Sequence, residues 1–277
     1  MPSIKQVALR TITGVGAPLV AVAHTGRRRR EGLAAPTTRA AFLRQVPLAS
    51  ALEIGPFNNP TIAGPGVSYF DVLDAAALRT RAVAIGYDAE RIPARIDYVS
   101  PVGDLDVVDR RFDAVLSSHA VEHQPDLIGH LKKVARLIEP GGSYFLIIPD
   151  RRYTFDQSRP ETQLSDVEAA HRERRRVHTG ESIRATRLQT THNNPLRHWL
   201  GRHGAPAPDA ALVAAANDEA RRAAGGEYID VHAWTFSPES FRRIIAATSA
   251  ATGLSPAVVR DTAFGDLEFF AVLRKTA

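Results

Sequence analysis

The feature that most limits how this chain can fold is an alternation of short apolar runs with helical patterns. "ALEIG" (51–55), "VSYFDV" (67–72), "FDAVLSS" (112–118) and "SYFLIIP" (143–149) are each brief and apolar enough to be strands buried on both faces. Between the last two, "DLIGHLKKVARLI" spaces Leu127, Ile128, Leu131, Val134 and Leu137 along one helical stripe, which "EPGG" is expected to end. Strands alternating with helices run parallel and are joined by right-handed crossovers. Further on, Ser237 and Pro238 of "SPESFRRIIAAT" read as N-cap and first helical residue, with Phe241, Ile244 and Ile245 facing inward. "AVVRDTAF" and "LEFFAVLRK" are expected to close the chain as two strands joined at Gly265-Asp266.

The alternation stops between about Thr154 and Tyr228. That stretch is rich in histidine and arginine and carries the turn-laden "HNNPLRHWLGRHGAPAPD", so it reads as an inserted cap of helices and loops. The expected organisation is a helical lead-in over 1–47, with Ala40, Phe42, Leu43 and Val46 near one face; a core made of 48–156 and 228–277; and an acceptor-recognising cap over 157–227. With 277 residues, 44% of them hydrophobic, one large core with an elaboration fits better than two full domains.

Cysteine is absent, which excludes disulfides, cysteine-ligated zinc, iron–sulfur clusters and any thiol nucleophile. The formal charge of +5 is concentrated in arginine runs at 27–30 and 172–176, which attract anions or form solvated faces. Lys5 and Arg10 ahead of "TITGVGAPLVAVA" imitate a secretion signal, but Gly14, Gly16 and Pro18 interrupt the apolar run. No stretch reaches the roughly 18 apolar residues that a membrane span needs. The expected location is the cytoplasm.

In an open parallel sheet, ligands bind beyond the carboxyl ends of the strands, where strand order reverses. Glu53 and Gly55 of "ALEIGPFNNP" fall at such an end; glycine lets the backbone approach a ligand, and Asn59-Pro60 is expected to open a helix whose amides face it. Asp71 ends the next strand with a carboxylate that can accept from both hydroxyls of a ribose, with Asp74 in reserve as a helix cap. Asp104 in "SPVGDLDVV" suits an adenine amino group, with Leu105 or Val107 against the ring.

The ordered run of "LEIGPFNNP", "YFDVLD", "VGDLD", "RFDAVLSSHAVEHQPD", "LKKVARLIEPGGSYFLIIPD" and a terminal hairpin resembles the class I S-adenosylmethionine-dependent methyltransferases, above all their small-molecule branch. The likeness covers about 48–156 and 228–275. It implies an α/β, Rossmann-like, seven-stranded, mostly parallel sheet with helices on both faces and the last strand antiparallel, the helical cap being inserted after the fifth strand. It also implies S-adenosylmethionine as cofactor. Carried over by position, Glu53, Gly55 and Pro56 belong to the methionine-end loop, Asp71 to the ribose, Asp104 and Leu105 to the adenine, and Ser117, Ser118 and His119 to the segment beside the methyl group. The family's second loop glycine is missing, because Pro56, Phe57 and Asn58 follow Gly55.

"IPDRRYTFD" and "DVHAWTFSPESF" are similar to segments of methyltransferases found with sugar-modifying and glycan-assembly enzymes. That implies an acceptor pocket lined by Asp150, Arg151, Arg152, Tyr153, His232 and Trp234. The competing reading pairs the arginines with carboxylates and puts Trp234 in the core. A hydroxyl acceptor needs a base, for which His123 is the first candidate, with His119 and His232 behind it.

Rival motifs are weaker. "TGVGAP" (13–18) lacks the third glycine of a dinucleotide loop. "HAVEH" (119–123) fits the inverted zinc-protease pattern, but the strand before it and Gln124-Pro125 after it leave barely one turn, so no metal is expected. "SSHA" stands where amino-directed DNA methylases carry N/D-P-P-Y/F, and "HRERRR" lacks interleaved aromatics, so nucleic acid is disfavoured. The expected partner is a small polar acceptor such as a sugar, with aminocarboxypropyl transfer or cofactor binding without catalysis as the alternatives.

Overall fold

The computed structural model describes residues 32–276, so the signal-like run, the "TGVGAP" loop and the first arginine run lie outside the described residues. Seven strands form one sheet: β1 (Ala51–Ile54), β2 (Val67–Asp71), β3 (Tyr98–Val99), β4 (Phe112–Ser118), β5 (Ile138–Pro149), β6 (Leu254–Val259) and β7 (Glu268–Lys275). Their order is β3-β2-β1-β4-β5-β7-β6, with β7 antiparallel to both neighbours and the remaining pairs parallel. Strand order therefore reverses between β1 and β4, as the alternation requires of a doubly wound sheet.

The central strands are mostly apolar because both faces are covered. On β5, Tyr144, Leu146 and Ile148 join one buried cluster while Phe145 and Ile147 join the other. Two helices, α3 (Leu127–Leu137) and α8 (Pro238–Thr252), close the first face; the stripe from Leu127 to Leu137 and the residues Phe241, Ile244 and Ile245 are all buried there. Each such side chain contributes roughly 1.5–3 kcal/mol. Opposite, the short α1 (Arg39–Leu43) sets Phe42 against Phe270 at 4.8 Å and edge-on to Phe145 at 5.8 Å. Val46 is buried with it, whereas Ala40 is exposed. The remaining early helix, α2 (Ala75–Ala84), is capped by Asp74 and packs beside Tyr69 at the β2 edge.

Four helices follow β5 before the alternation resumes: α4 (Leu164–Arg172), α5 (Gly180–Leu188), α6 (Pro195–Trp199) and α7 (Ala210–Ala224). Ile183 of α5 and Ala223 of α7 share a small cluster with Ile229 and Val231, which ties the insertion to the segment leading back into the core. Among the described residues no helix is long and apolar enough to cross a membrane.

Three local expectations are corrected. No helix follows Asn59-Pro60: residues 55–66 reach β2 as an irregular loop. Two of its amides are committed to β1, the Glu53 carboxylate accepting from Thr61 N at 2.7 Å and Ile62 N at 3.1 Å. "EPGG" does not cap α3 but forms an early kink within β5, where Gly141 has φ +81° and the β4–β5 register shifts between Phe112 and Ala114. β6 starts at Leu254, directly after Gly253 ends α8 with φ +74°, so Arg260 to Phe264 belong to the connection before β7 rather than to a strand.

Candidate active site

The carboxyl ends of β1, β2, β4 and β5 lie along one edge of the sheet, and the fold places there most of the residues that the sequence singles out. Gly55 leaves β1 with φ +72°, a conformation that favours glycine, and a Cβ on it would meet only Ala120 at 3.8 Å. Pro56 is buried beside it. Asp71 ends β2, 7% exposed; its Oδ1 accepts from Val72 N at 2.7 Å and its Oδ2 from Phe57 N at a long 3.4 Å. Burial raises its pKa and these backbone bonds only partly offset the rise. The Leu73 amide also lowers its pKa, and the acceptor capacity that remains fits ribose hydroxyls.

The other cofactor candidates are differently engaged. Glu53 is 1% exposed, its carboxylate closing the loop described above; burial raises its pKa against those bonds. Asp104 caps a 3-10 turn (Leu105–Val107) and pairs through Oδ1 with Lys133, whose ammonium holds its pKa below the usual range. Its Oδ2 makes no such bond. Leu105 is 2% exposed and packs in the core, so the apolar side chain open to a ring is Val107. Ser117 shares a 2.7 Å hydrogen bond with Tyr144 Oη, which is 3.2 Å from His130 Nε2. Ser118 Oγ accepts from Arg39 Nη2 at 2.8 Å. Ser118 keeps its own O–H as a free donor while it accepts from Arg39, and Ser117 is buried against Tyr144.

Several of the acceptor-pocket candidates have their polar groups engaged within the protein. Asp150 is fully buried, accepting from Arg152 Nε at 2.8 Å and from Thr262 Oγ1 at 2.6 Å. The Arg152 guanidinium also reaches Glu239 at 3.3 Å and Asp261 at 3.4 Å. Burial alone would lower its pKa, but Asp150 and Glu239 hold it above the ordinary value. Arg151 donates to the carbonyls of Gln157 and Arg159, binding a turn. Tyr153 is buried and stacks on Trp199 at 3.8 Å. Trp234 lies in the main core, its indole donating to Gln124 O at 2.6 Å. The sequence "DRRY" thus builds the junction between β5 and the insertion, because charges so deep in the fold must satisfy one another.

Three histidines converge where β4 ends. His119 takes φ +51°, an unusual conformation for a non-glycine residue, and its Nε2 lies 2.9 Å from Glu268 Oε2. His123 follows in a 3-10 turn (Val121–His123), with Nδ1 2.9 Å from Asp230 Oδ1. His232 arrives from the far side of the insertion, with Nδ1 2.6 Å from Asp156 Oδ2, and its ring lies 4.6 Å from that of His123. An ionised carboxylate only accepts, so each of these ring nitrogens carries the proton. Burial alone would lower the pKa of His123, yet the bond to Asp230 and the nearby Glu122 leave it raised. Burial opposes ionisation of Asp230, and His123 overcomes it to bring that group down to about 2.

Sequence reasoning missed Glu122, Asp156, Asp230, Glu268 and Arg39. The signal available was local: "VEH" and "DVH" each put a carboxylate beside or two residues from a histidine. Nothing in the sequence, however, says that 122 and 232 meet. The meeting is made by backbone, Ala233 N and Trp234 N both donating to Glu122 O at 2.8 and 3.1 Å.

A seven-stranded sheet in this order, with an acid ending β2 and polar side chains gathered past β4, defines the Rossmann-like methyltransferase architecture. The sequence profile of a methyltransferase domain matches residues 26–205, well over half of the chain, and the chain belongs to that family. The resemblance to class I S-adenosylmethionine-dependent methyltransferases therefore holds. Among curated proteins none matches it significantly. Solved structures similar in outline include the CcbJ methyltransferase of Streptomyces caelestis, at 14% identity and a TM-score of 0.45 over 86% of this chain and 94% of that one. DhpI, solved as its SAH complex, gives 14%, 0.43, 86% and 83%. An enzyme that converts a disulfide bond into a thioacetal group in echinomycin biosynthesis gives 14%, 0.43, 87% and 82%. At these values the likenesses bear on neither cofactor nor acceptor; the family rests on the profile match and the architecture on the sheet itself.

Proposed function

We propose that this protein transfers a methyl group from S-adenosylmethionine to a hydroxyl or amine of a small polar acceptor, such as a sugar or glycan precursor, in the cytoplasm. The observation that carries the reading is Asp71, a buried carboxylate at the end of β2, on the same sheet edge as Gly55 and the histidines past β4. The cofactor supplies a methyl group on a sulfonium that is already a good leaving group. The protein's part is to hold the two reactants in line and to exclude water.

Asp71 binds the ribose, the open backbone at Gly55 admits the methionine end, and the free oxygen of Asp104 accepts from the adenine amino group. His119 holds the proton taken from a hydroxyl acceptor. Its Nε2–H is spent on Glu268, which leaves Nδ1 with a lone pair, and with 35% exposure its side chain is the most open of the three rings. The sequence likeness of "DVHAWTFSPESF" supports a sugar acceptor.

The test is product analysis. The protein is incubated with S-adenosylmethionine and a panel of sugars, nucleotide sugars and amino sugars, and the cofactor product is identified by mass spectrometry. Acceptor-dependent S-adenosylhomocysteine with an acceptor heavier by one methylene is expected. Methylthioadenosine in its place would mean that the aminocarboxypropyl end is used, and would overturn the reading.

A further inference from the structure

Glu122 is fully buried, and neither of its carboxylate oxygens has a hydrogen-bond partner. A buried carboxylate left without donors costs several kcal/mol unless a positive charge meets it. Around it the donors face the wrong way. His123 Nε2 lies 3.9 Å from Glu122 Oε1, His232 Nε2 lies 4.0 Å away, and His119 Nδ1 lies 3.8 Å away. Each of these rings has committed its other nitrogen to a carboxylate: Asp230, Asp156 and Glu268 respectively. In neutral rings the nitrogens turned toward Glu122 are lone pairs, so acceptors face an acceptor across a small gap. A second proton on one of the rings or a metal cation between them resolves that.

We propose that Glu122, His123 and His232 bind a divalent first-row metal ion of the zinc class. Their ligand atoms all lie within 4.8 Å of one another. With Glu122 Oε1 3.9 and 4.0 Å from the two nitrogens and these within 4.8 Å of each other, the point equidistant from all three is at most about 2.5 Å from each, against roughly 2.0–2.2 Å for zinc–nitrogen and zinc–carboxylate bonds, so a closing of a few tenths of an ångström completes the site. The support behind the rings has the form found in metal centres, where each ligating histidine donates its remaining N–H to a carboxylate that fixes the ring. Asp156 is itself held by Arg159 at 2.6 Å, and Arg159 and Thr186 both donate to His232 O. Two nitrogens and one carboxylate suit zinc, cobalt, iron or manganese better than magnesium, which prefers oxygen alone.

The expectation of no metal rested on "HAVEH" lacking the helix that would pair its two histidines. The structure removes that requirement: the second nitrogen comes from His232, 109 positions along the chain from His123, and His119 borders the site without belonging to the three. An ion here supplies Lewis acidity, lowering the pKa of a hydroxyl at its open position. That role depends on the methyl-transfer reading; the binding does not.

The experiment is metal analysis of the full chain, freed of any affinity tag, stripped with chelator and dialysed against zinc or cobalt. About one ion per chain is expected, and the cobalt form should show visible d–d absorption. Glu122→Gln should lose binding at least tenfold while keeping its far-ultraviolet circular dichroism. Asp156→Asn and Asp230→Asn should weaken it by about 10–100-fold through the rings they orient. Wild-type protein that retains less than a tenth of an ion overturns the proposal, the charge then being met by protons. Binding unchanged in Glu122→Gln also overturns it, because the ion would sit elsewhere, as at His192, His198 and His203. S-adenosylhomocysteine binding by the stripped protein separates the two claims: its presence without metal leaves methyl transfer standing, and its absence with metal leaves the site standing.

Discussion

Replacing Arg152 by methionine tests whether the "DRRY" segment serves structure rather than substrate. The guanidinium makes two contacts to Asp150 through Nε, at 2.8 and 3.1 Å, and a third through Nη2 at 2.5 Å, while Asp150 is fully buried. The substitution leaves Asp150 with only the Arg152 backbone amide and the Thr262 hydroxyl as donors. Removing one partner of a buried, hydrogen-bonded pair costs about 3–5 kcal/mol, because the other charge stays behind. At roughly 2–4 °C per kcal/mol for a chain of this size, the midpoint should fall by about 6–20 °C. Urea and thermal unfolding followed by circular dichroism measure the loss. Asp150→Asn, made in both backgrounds, closes a double-mutant cycle whose coupling should exceed about 2 kcal/mol. A loss under about 1 kcal/mol for Arg152→Met, or coupling near zero, would refute the structural role and return Arg152 to the acceptor pocket.

Three further outcomes are expected. Burial pushes His130 down to about 4, so between that pH and the unfolded value near 6.5 the unfolded chain binds more protons. Stability from this residue is thus present above about pH 6.5 and falls by about 3 kcal/mol as pH drops to 4; unfolding across that range, repeated with His130→Phe, should show the slope flattened in the variant. Tyr144→Phe removes the hydroxyl shared by Ser117 and His130 and should cost about 1–3 kcal/mol in urea unfolding. Gly66→Ala would set a Cβ 2.3 Å from Ala49 O and 2.5 Å from Leu48 O, so it should lower soluble yield and midpoint far more than Gly86→Ala, which meets nothing within 4 Å and carries only the strain of its φ of +76°.

Much of the fold is legible because its strands are buried on both faces. A continuous apolar run such as "SYFLIIP" has one reading once helices flank it, and Ser237-Pro238 announces α8 through capping chemistry that acts locally. The β1–β2 loop was not legible. Asn59-Pro60 looks like a helix start, but Glu53 takes the amides of Thr61 and Ile62, and Gly66 must lie flat against the chain before β1. Local signals lose there to contacts made by tertiary structure. The same holds at the site. Asp71 follows from its place at a strand end, whereas the convergence on Glu122 depends on an insertion of some 80 residues folding back to bring His232 beside His123. Arginine and aspartate in "DRRY" could equally have faced a ligand; what decides is burial, and burial is not written in a tetrapeptide.

The most direct test of the central claim is a calorimetric titration of the purified protein with S-adenosylhomocysteine, beside Asp71→Ala. The account predicts micromolar binding that falls at least tenfold in the variant, since the buried carboxylate would accept from both ribose hydroxyls. No binding by the wild-type protein, or binding that is the same without the Asp71 carboxylate, would contradict it.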